Sequence, residues 1–124
     1  MSTLKVNTIQ NTSGGSSSTP EQIEQGRAKA WVLFNGTNGA ILSSFNVSSI
    51  TRHSLGQYTV NFTNSFSNTN YCAIPAVIFS SVGNDQSGIM GNGSVGGRQT
   101  GSCRFYVVQG TAQFDATVGV SFIG

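Results

Sequence analysis

A twenty-residue stretch, 44–63, carries two runs in which apolar and polar positions alternate. Phe45 and Val47 alternate with polar residues, and so do Tyr58, Val60 and Phe62. A period of two is the signature of a strand with one buried face. Between the runs stands Arg52-His53-Ser54-Leu55-Gly56, and a five-residue connector containing Gly suits an antiparallel hairpin. The same reading predicts strands over residues 28–34, 44–50, 57–63, 71–80, 102–109 and 115–123. Turn signals separate them: Asn35-Gly36, Asn38-Gly39, residues 65–70, the Gly-rich stretch 83–101 and Gly110-Thr111. Short strands at this spacing predict a mainly β fold, a compact antiparallel β-sandwich or barrel.

Two of these strands do not alternate. Trp31 and Leu33 point one way and Val32 and Phe34 the other, so both faces are apolar. Ala76, Val77, Ile78 and Phe79 form a continuous apolar run. An antiparallel strand with one wet face does not read like this. Something covers the second face, and another copy of the chain is the most economical cover. Trp31, Val32, Leu33 and Phe34 are the candidate residues shared between the domain's own core and a neighbour. At the other end of the chain Ala116, Val118, Val120 and Phe122 alternate almost to the last residue, which predicts a terminus tied into the fold.

The first 26 residues differ from the rest. Leu4, Val6 and Ile9 suggest a short extended strand, and 11–19 is a Gly/Ser/Thr linker by composition. A short helix over 20–25 follows. Thr19 caps it, Pro20 fits its first position, Gln22 completes a capping box and Gly26 stops it. Glu21 and Glu24 favour the positive end of the helix dipole. The division is therefore a short extended segment, linker and helix over 1–26, then a β domain over 27–124.

Composition narrows the chemistry. Gly, Ser, Thr and Asn supply 57 of 124 residues, and only 8% are charged, against about 25% in an average soluble protein. The exposed surface must be mostly hydroxyls and amides. Net charge is +2 and the six basic residues are scattered, so nothing tracks a phosphate backbone and nucleic acid is excluded as a partner. No run approaches the roughly 20 apolar residues of a membrane helix, so membrane insertion is not expected. The N-terminus lacks the apolar core of a secretory signal. Cys72 and Cys103 are then read as thiols, buried as small hydrophobes.

Catalytic groups are scarce. His53 is the one histidine, placed in a hairpin connector, and reads as a solvated loop residue. The four carboxylates are Glu21, Glu24, Asp85 and Asp115, and no spacing pairs two of them across a scissile bond. Residues 91–96 fit Gly-X-Gly-X-X-Gly but do not open a helix after a strand. No metal-ligand spacing occurs, and no cofactor, metal or catalytic site is expected. What remains is binding. Residues 83–101 hold seven glycines, and a loop of this length is usually either functional or mobile, with a plain surface or interface loop as the other reading. Its Asn84, Asp85, Asn92, Arg98 and Gln99 offer amides, a carboxylate and a guanidinium to sugar hydroxyls, and are the candidate receptor-binding residues.

Two blocks resemble a known family. The first is Thr3-Leu4-Lys5-Val6-Asn7-Thr8-Ile9-Gln10-Asn11-Thr12-Ser13-Gly14. The second runs from Arg27-Ala28-Lys29-Ala30-Trp31-Val32 through Phe34-Asn35-Gly36-Thr37 to residues 44–51 and 57–63, continued by Tyr71-Cys72-Ala73. Together they cover about half the chain and are similar to tail fibre and related receptor-binding structural proteins of tailed bacteriophages, including phages of cyanobacteria. The resemblance implies a homotrimeric virion protein of the tail, assembled in the host cytoplasm and without enzymatic activity. It implies that the N-terminal segment joins other tail or baseplate proteins. The β domain would meet a host-surface polysaccharide or another envelope component. The match fades after about residue 80, so it transfers no ligand. A purely structural baseplate or capsid-decoration protein is the alternative, and a carbohydrate-binding module a further one.

Overall fold

The computed structural model describes residues 1–78, 88–91, 97–109 and 112–124. In chain order the elements are β1 (Ile9–Gln10), β2 (Ser17–Ser18), α1 (Pro20–Gly26), β3 (Ala28–Asn35), β4 (Ala40–Phe45), β5 (Val47–Ser54), β6 (Gln57–Phe62), β7 (Cys72–Ile78), β8 (Gly88–Gly91), β9 (Ser102–Gln109), β10 (Ala112–Gln113) and β11 (Thr117–Ile123). The fold is mainly β and every strand pair is antiparallel. A four-stranded sheet has the order β4-β3-β11-β7. A five-stranded sheet has the order β10-β9-β6-β5, with β8 also paired to β9. β1 and β2 form a separate two-stranded hairpin.

Alternation decides what is inside. Ala30, Val32, Phe34, Val118, Val120 and Phe122 come from the four-stranded sheet, and Tyr58, Val60, Phe62, Cys103, Phe105 and Val107 from the other; all join one buried cluster. At one end Phe34, Tyr58 and Phe105 meet, with Phe34 and Tyr58 rings 5.1 Å apart and edge-on. At the other end Phe62, Phe66, Tyr71 and Phe122 gather, with Phe66 stacked on Tyr71 at 4.6 Å. Such pairs add about 0.5–1.5 kcal/mol each beyond the area they bury.

Several expectations change. The strand expected over 44–50 is broken at Asn46, which has φ +55°, a conformation that Asn tolerates better than most residues. Its side chain fixes the break, donating to the Lys29 and Asn64 carbonyls and accepting from the Asn64 backbone N–H. Phe45 thus ends one sheet and Val47 begins the other. The expected five-residue connector is also shorter. β5 runs to Ser54, and Leu55-Gly56 alone make the turn, with Gly56 at φ +66°. A β-carbon on Gly56 would lie 2.5 Å from the Val107 carbonyl oxygen, so only Gly fits. His53 is exposed as expected, but on a strand. Cys103 is buried, whereas Cys72 is exposed and faces outward on β7. The expected Gly-rich loop contains a strand, β8. The helix closes one residue later than expected, at Gly26, with its capping box in place.

Candidate functional site

The registers sort the two outer faces. On the four-stranded sheet Trp31 pairs across to Phe45 on one side and to Ser121 on the other, and Ser121 pairs to Ile74. One step along, Leu33 lies beside Gly119, which lies beside Ala76, and Ile78 stands opposite Thr117. Trp31 is 37% exposed, Ile74 49%, Ile78 54%, Phe45 55%, and Leu42, at a bulge in β4, 60%. A depression of about 320 Å³ opens over Gly119, rimmed by Trp31, Leu33, Ile74, Pro75 and Ala76. This is an apolar patch with a concave centre, the surface form that marks interaction sites. Of the sequence candidates, Val32 and Phe34 belong to the core, and Trp31 and Leu33 to this outer face.

Across β5, β6 and the start of β9 the outer face of the five-stranded sheet is polar, while Tyr106 and Val108 face outward further along β9. Ser49, Asn61 and Ser102 form one cross-strand row, and Thr51, Thr59 and Arg104 the next. These groups bond one another. Asn61 Nδ2 donates to the Ser49 and Thr51 hydroxyls at 3.1 and 3.0 Å, and His53 Nε2 lies 2.8 Å from the Thr59 hydroxyl. Arg104 donates to Gln57, which donates to Gln113.

The two ends of the β domain differ as well. Asp115 occupies one end, between β10 and β11. Its carboxylate accepts from Arg52 Nη2 at 2.6 Å, from the Gly56 N–H at 3.0 Å and from the Tyr58 hydroxyl at 2.5 Å. Burial pushes its pKa up, but these three donors and the Arg52 charge outweigh burial and hold it below its ordinary value. Burial, then the bond to Asp115, pushes the Tyr58 phenol up, so it stays a donor. Asp115 therefore ties the β5–β6 turn to the start of β11. It is fully engaged and offers no free base. The charged pair with Arg52 was not anticipated.

The opposite end carries the N-terminal arm and the chain terminus. There the Tyr71 hydroxyl lies 2.9 Å from the Gln99 and Ser102 carbonyl oxygens, and Arg98 Nη1 donates to the Tyr71 carbonyl at 3.4 Å. Arg98 and Gln99, two of the candidate receptor contacts, thus help hold Tyr71 at the arm end. Asn84, Asp85 and Asn92 lie outside the described residues. The described flanks of the segment containing Asn84 and Asp85 are Ile78 and Gly88. They stand at the Asp115 end, opposite Thr117 and Gln109.

Among the described residues no three His, Cys, Asp or Glu side chains converge. Burial raises the Cys103 thiol, leaving it unreactive. Phe45, Leu42 and Ile74 were missed as surface candidates, whereas Ile78 belongs to the run expected to be apolar on both faces. Compared with protein-family models, curated proteins and solved structures, the chain matches none.

Proposed function

We propose that this chain is a short tail-fibre protein of the tailed-bacteriophage type, a non-enzymatic virion component. It acts as a homotrimer whose β domain, a two-sheet sandwich, mediates attachment to the host surface. One observation carries the reading: the four-stranded sheet is apolar on both faces, and among the described residues nothing covers its outer face. A protein whose outer surface is otherwise hydroxyls and amides gains from burying that face against copies of itself. The resemblance of residues 3–14 and of the strands from Arg27 onward supplies the context of a virion tail.

The polarity of the domain supports a direction. The arm enters at the Tyr71 end, where it would join a tail or baseplate protein. The Asp115 end, with its turns at Gly36–Gly39 and Leu55–Gly56, then points away from the virion and toward a host polysaccharide or other envelope component. Of the candidate contacts, Arg98 and Gln99 lie at the arm end, and Asn84, Asp85 and Asn92 lie outside the described residues.

Sedimentation of the purified chain tests the assembly. The expected mass is three times that of the 13.0 kDa chain, and a monodisperse monomer overturns the reading. Binding of the intact assembly to host cells tests attachment. An intact trimer that binds no host cell assigns the protein a purely structural place in the baseplate or capsid.

A further inference from the structure

Helix α1 has every local signal of a stable start and nothing to rest on. The Thr19 backbone N–H donates to Gln22 Oε1 at 2.9 Å, the Gln22 N–H donates back to the Thr19 hydroxyl at 3.3 Å, and Pro20 opens the helix. Yet it is seven residues long and none of them is buried. A helix shorter than about 12 residues is marginal in water unless an apolar face is packed. Its apolar side chain, Ile23, is 45% exposed and lies outside the core cluster of the β domain. Instead Ile23 shares a groove of about 620 Å³ with Leu4, Val6 and Ile9 of the extended segment, all of them exposed. The arm has therefore gathered its apolar residues on one side without burying them.

Two observations indicate what covers that side. The first is charge. Lys5 and Glu21 both line the groove, and neither has an ion-pair partner among the described residues. Glu24 beside them is engaged by Arg27 and Lys29. A surface with one unpaired cation and one unpaired anion is complementary to a copy of itself. The second is continuity. Lys29, which anchors the helix through Glu24, lies two residues before Trp31 and four before Leu33 in β3. The arm thus leaves the β domain at the border of its apolar outer face.

We propose that the arms of neighbouring copies close on one another. Ile23, Leu4, Val6 and Ile9 would form a small apolar collar at the arm end, with Lys5 of one copy paired to Glu21 of the next. The collar continues the sheet-face contact and rests on the homo-oligomer reading, but it is a separate contact and fails separately.

The test uses the full chain. Unlabelled and ¹⁵N-labelled protein are unfolded together, refolded and treated with a zero-length carbodiimide cross-linker. The expected product is a Lys5–Glu21 amide joining one light and one heavy peptide. Ile23→Asp, at an exposed position, is expected to weaken subunit association about tenfold, the loss of roughly one partly buried aliphatic side chain. Lys5→Glu is expected to remove the mixed-isotope link, and the swapped pair Lys5→Glu/Glu21→Lys to restore it. If the unmodified chain is a monomer, the oligomer reading falls and the collar with it. An intact oligomer with no mixed-isotope link, and unchanged by Ile23→Asp, overturns the collar alone and leaves the groove to another virion protein.

Discussion

The two sheets have the same kind of inside and opposite outsides. Inward, both present Val and Phe in alternation, with Tyr58 added on the five-stranded sheet. Outward, the four-stranded sheet shows Trp31, Phe45, Ile74 and Ile78, while the five-stranded sheet shows Ser49, Thr51, Thr59, Asn61 and Arg104. The polar face bonds within itself and faces water at little cost. The apolar face has no such arrangement. The difference points to where the proposed association would occur, because several sheet edges are blunted. β4 carries a bulge, β5 carries two, and edge strand β7 has Pro75 in its middle. Bulges and Pro on edge strands discourage edge-to-edge pairing. With these edges blunted and Ser49, Thr51, Thr59 and Asn61 bonded on the other sheet, the apolar face is the surface we propose that copies share.

The largest expected effect comes from making the two outsides alike. Trp31→Asp with Ile74→Asp changes two outward residues of one cross-strand row, on either side of Ser121. Burying a large apolar side chain contributes about 1.5–3 kcal/mol, so losing two weakens association by roughly three orders of magnitude. The expected outcome in sedimentation is a monomer with unchanged far-ultraviolet circular dichroism. The matched change on the polar face, Thr51→Asp with Thr59→Asp, is expected to leave the assembly whole. If both pairs act equally, the distinction between the faces is lost.

Most of the inner face is legible in the sequence, because burial on one side enforces a period of two along each strand. Tyr58, Val60 and Phe62, and Val118, Val120 and Phe122, can be assigned from alternation alone. So can the double-sided character of the strand from Ala28. The break at Asn46 is not legible. Phe45 and Val47 keep the period on paper, although one faces outward on one sheet and the other inward on the next. The positive φ that separates them is held by contacts with Lys29 and Asn64, 17 and 18 residues away. Asp115 fails for the same reason. Its partner Arg52 is 63 residues distant, and no local pattern announces a pair so far apart. Cys72 was misjudged because composition shows what a side chain can do, but not which side of a strand it occupies.

A second variant separates the core from the faces. The Tyr58 ring is wholly buried and its hydroxyl reaches Asp115. Tyr58→Phe keeps the ring and removes the donor, leaving a partly buried carboxylate one bond short. The expected cost is about 1–3 kcal/mol, read as a drop of several degrees in Tm. The subunit mass is expected not to change, since Tyr58 faces away from the shared surface. Trp31→Asp/Ile74→Asp should do the reverse, changing mass and sparing the domain. A Tyr58→Phe protein that dissociates while its Tm holds would contradict this separation.

The smallest effect expected is a pH dependence that belongs to the same bolt. The folded state holds the Asp115 carboxyl below its ordinary value of 3.8, so the unfolded chain takes up that proton first as pH falls. The contribution of Asp115 is therefore complete above the unfolded value and is lost as pH drops through the lower folded one. Protonation ends the ion pair with Arg52, but one carboxyl oxygen still accepts, so the loss stays below that of Tyr58→Phe. Other carboxylates titrate in the same range, Glu24 beside Lys29 among them. The measurement is therefore a difference: denaturant unfolding of wild-type protein and of Asp115→Asn between pH 7 and pH 3. Asn keeps the size and an acceptor but no charge. The gap between the two proteins should be widest at pH 7 and narrow below about pH 4. A gap that is constant with pH would mean that Asp115 joins the sheets as a hydrogen-bond acceptor alone, and that its charge, like the hydroxyls and amides of the polar face, adds nothing to the fold.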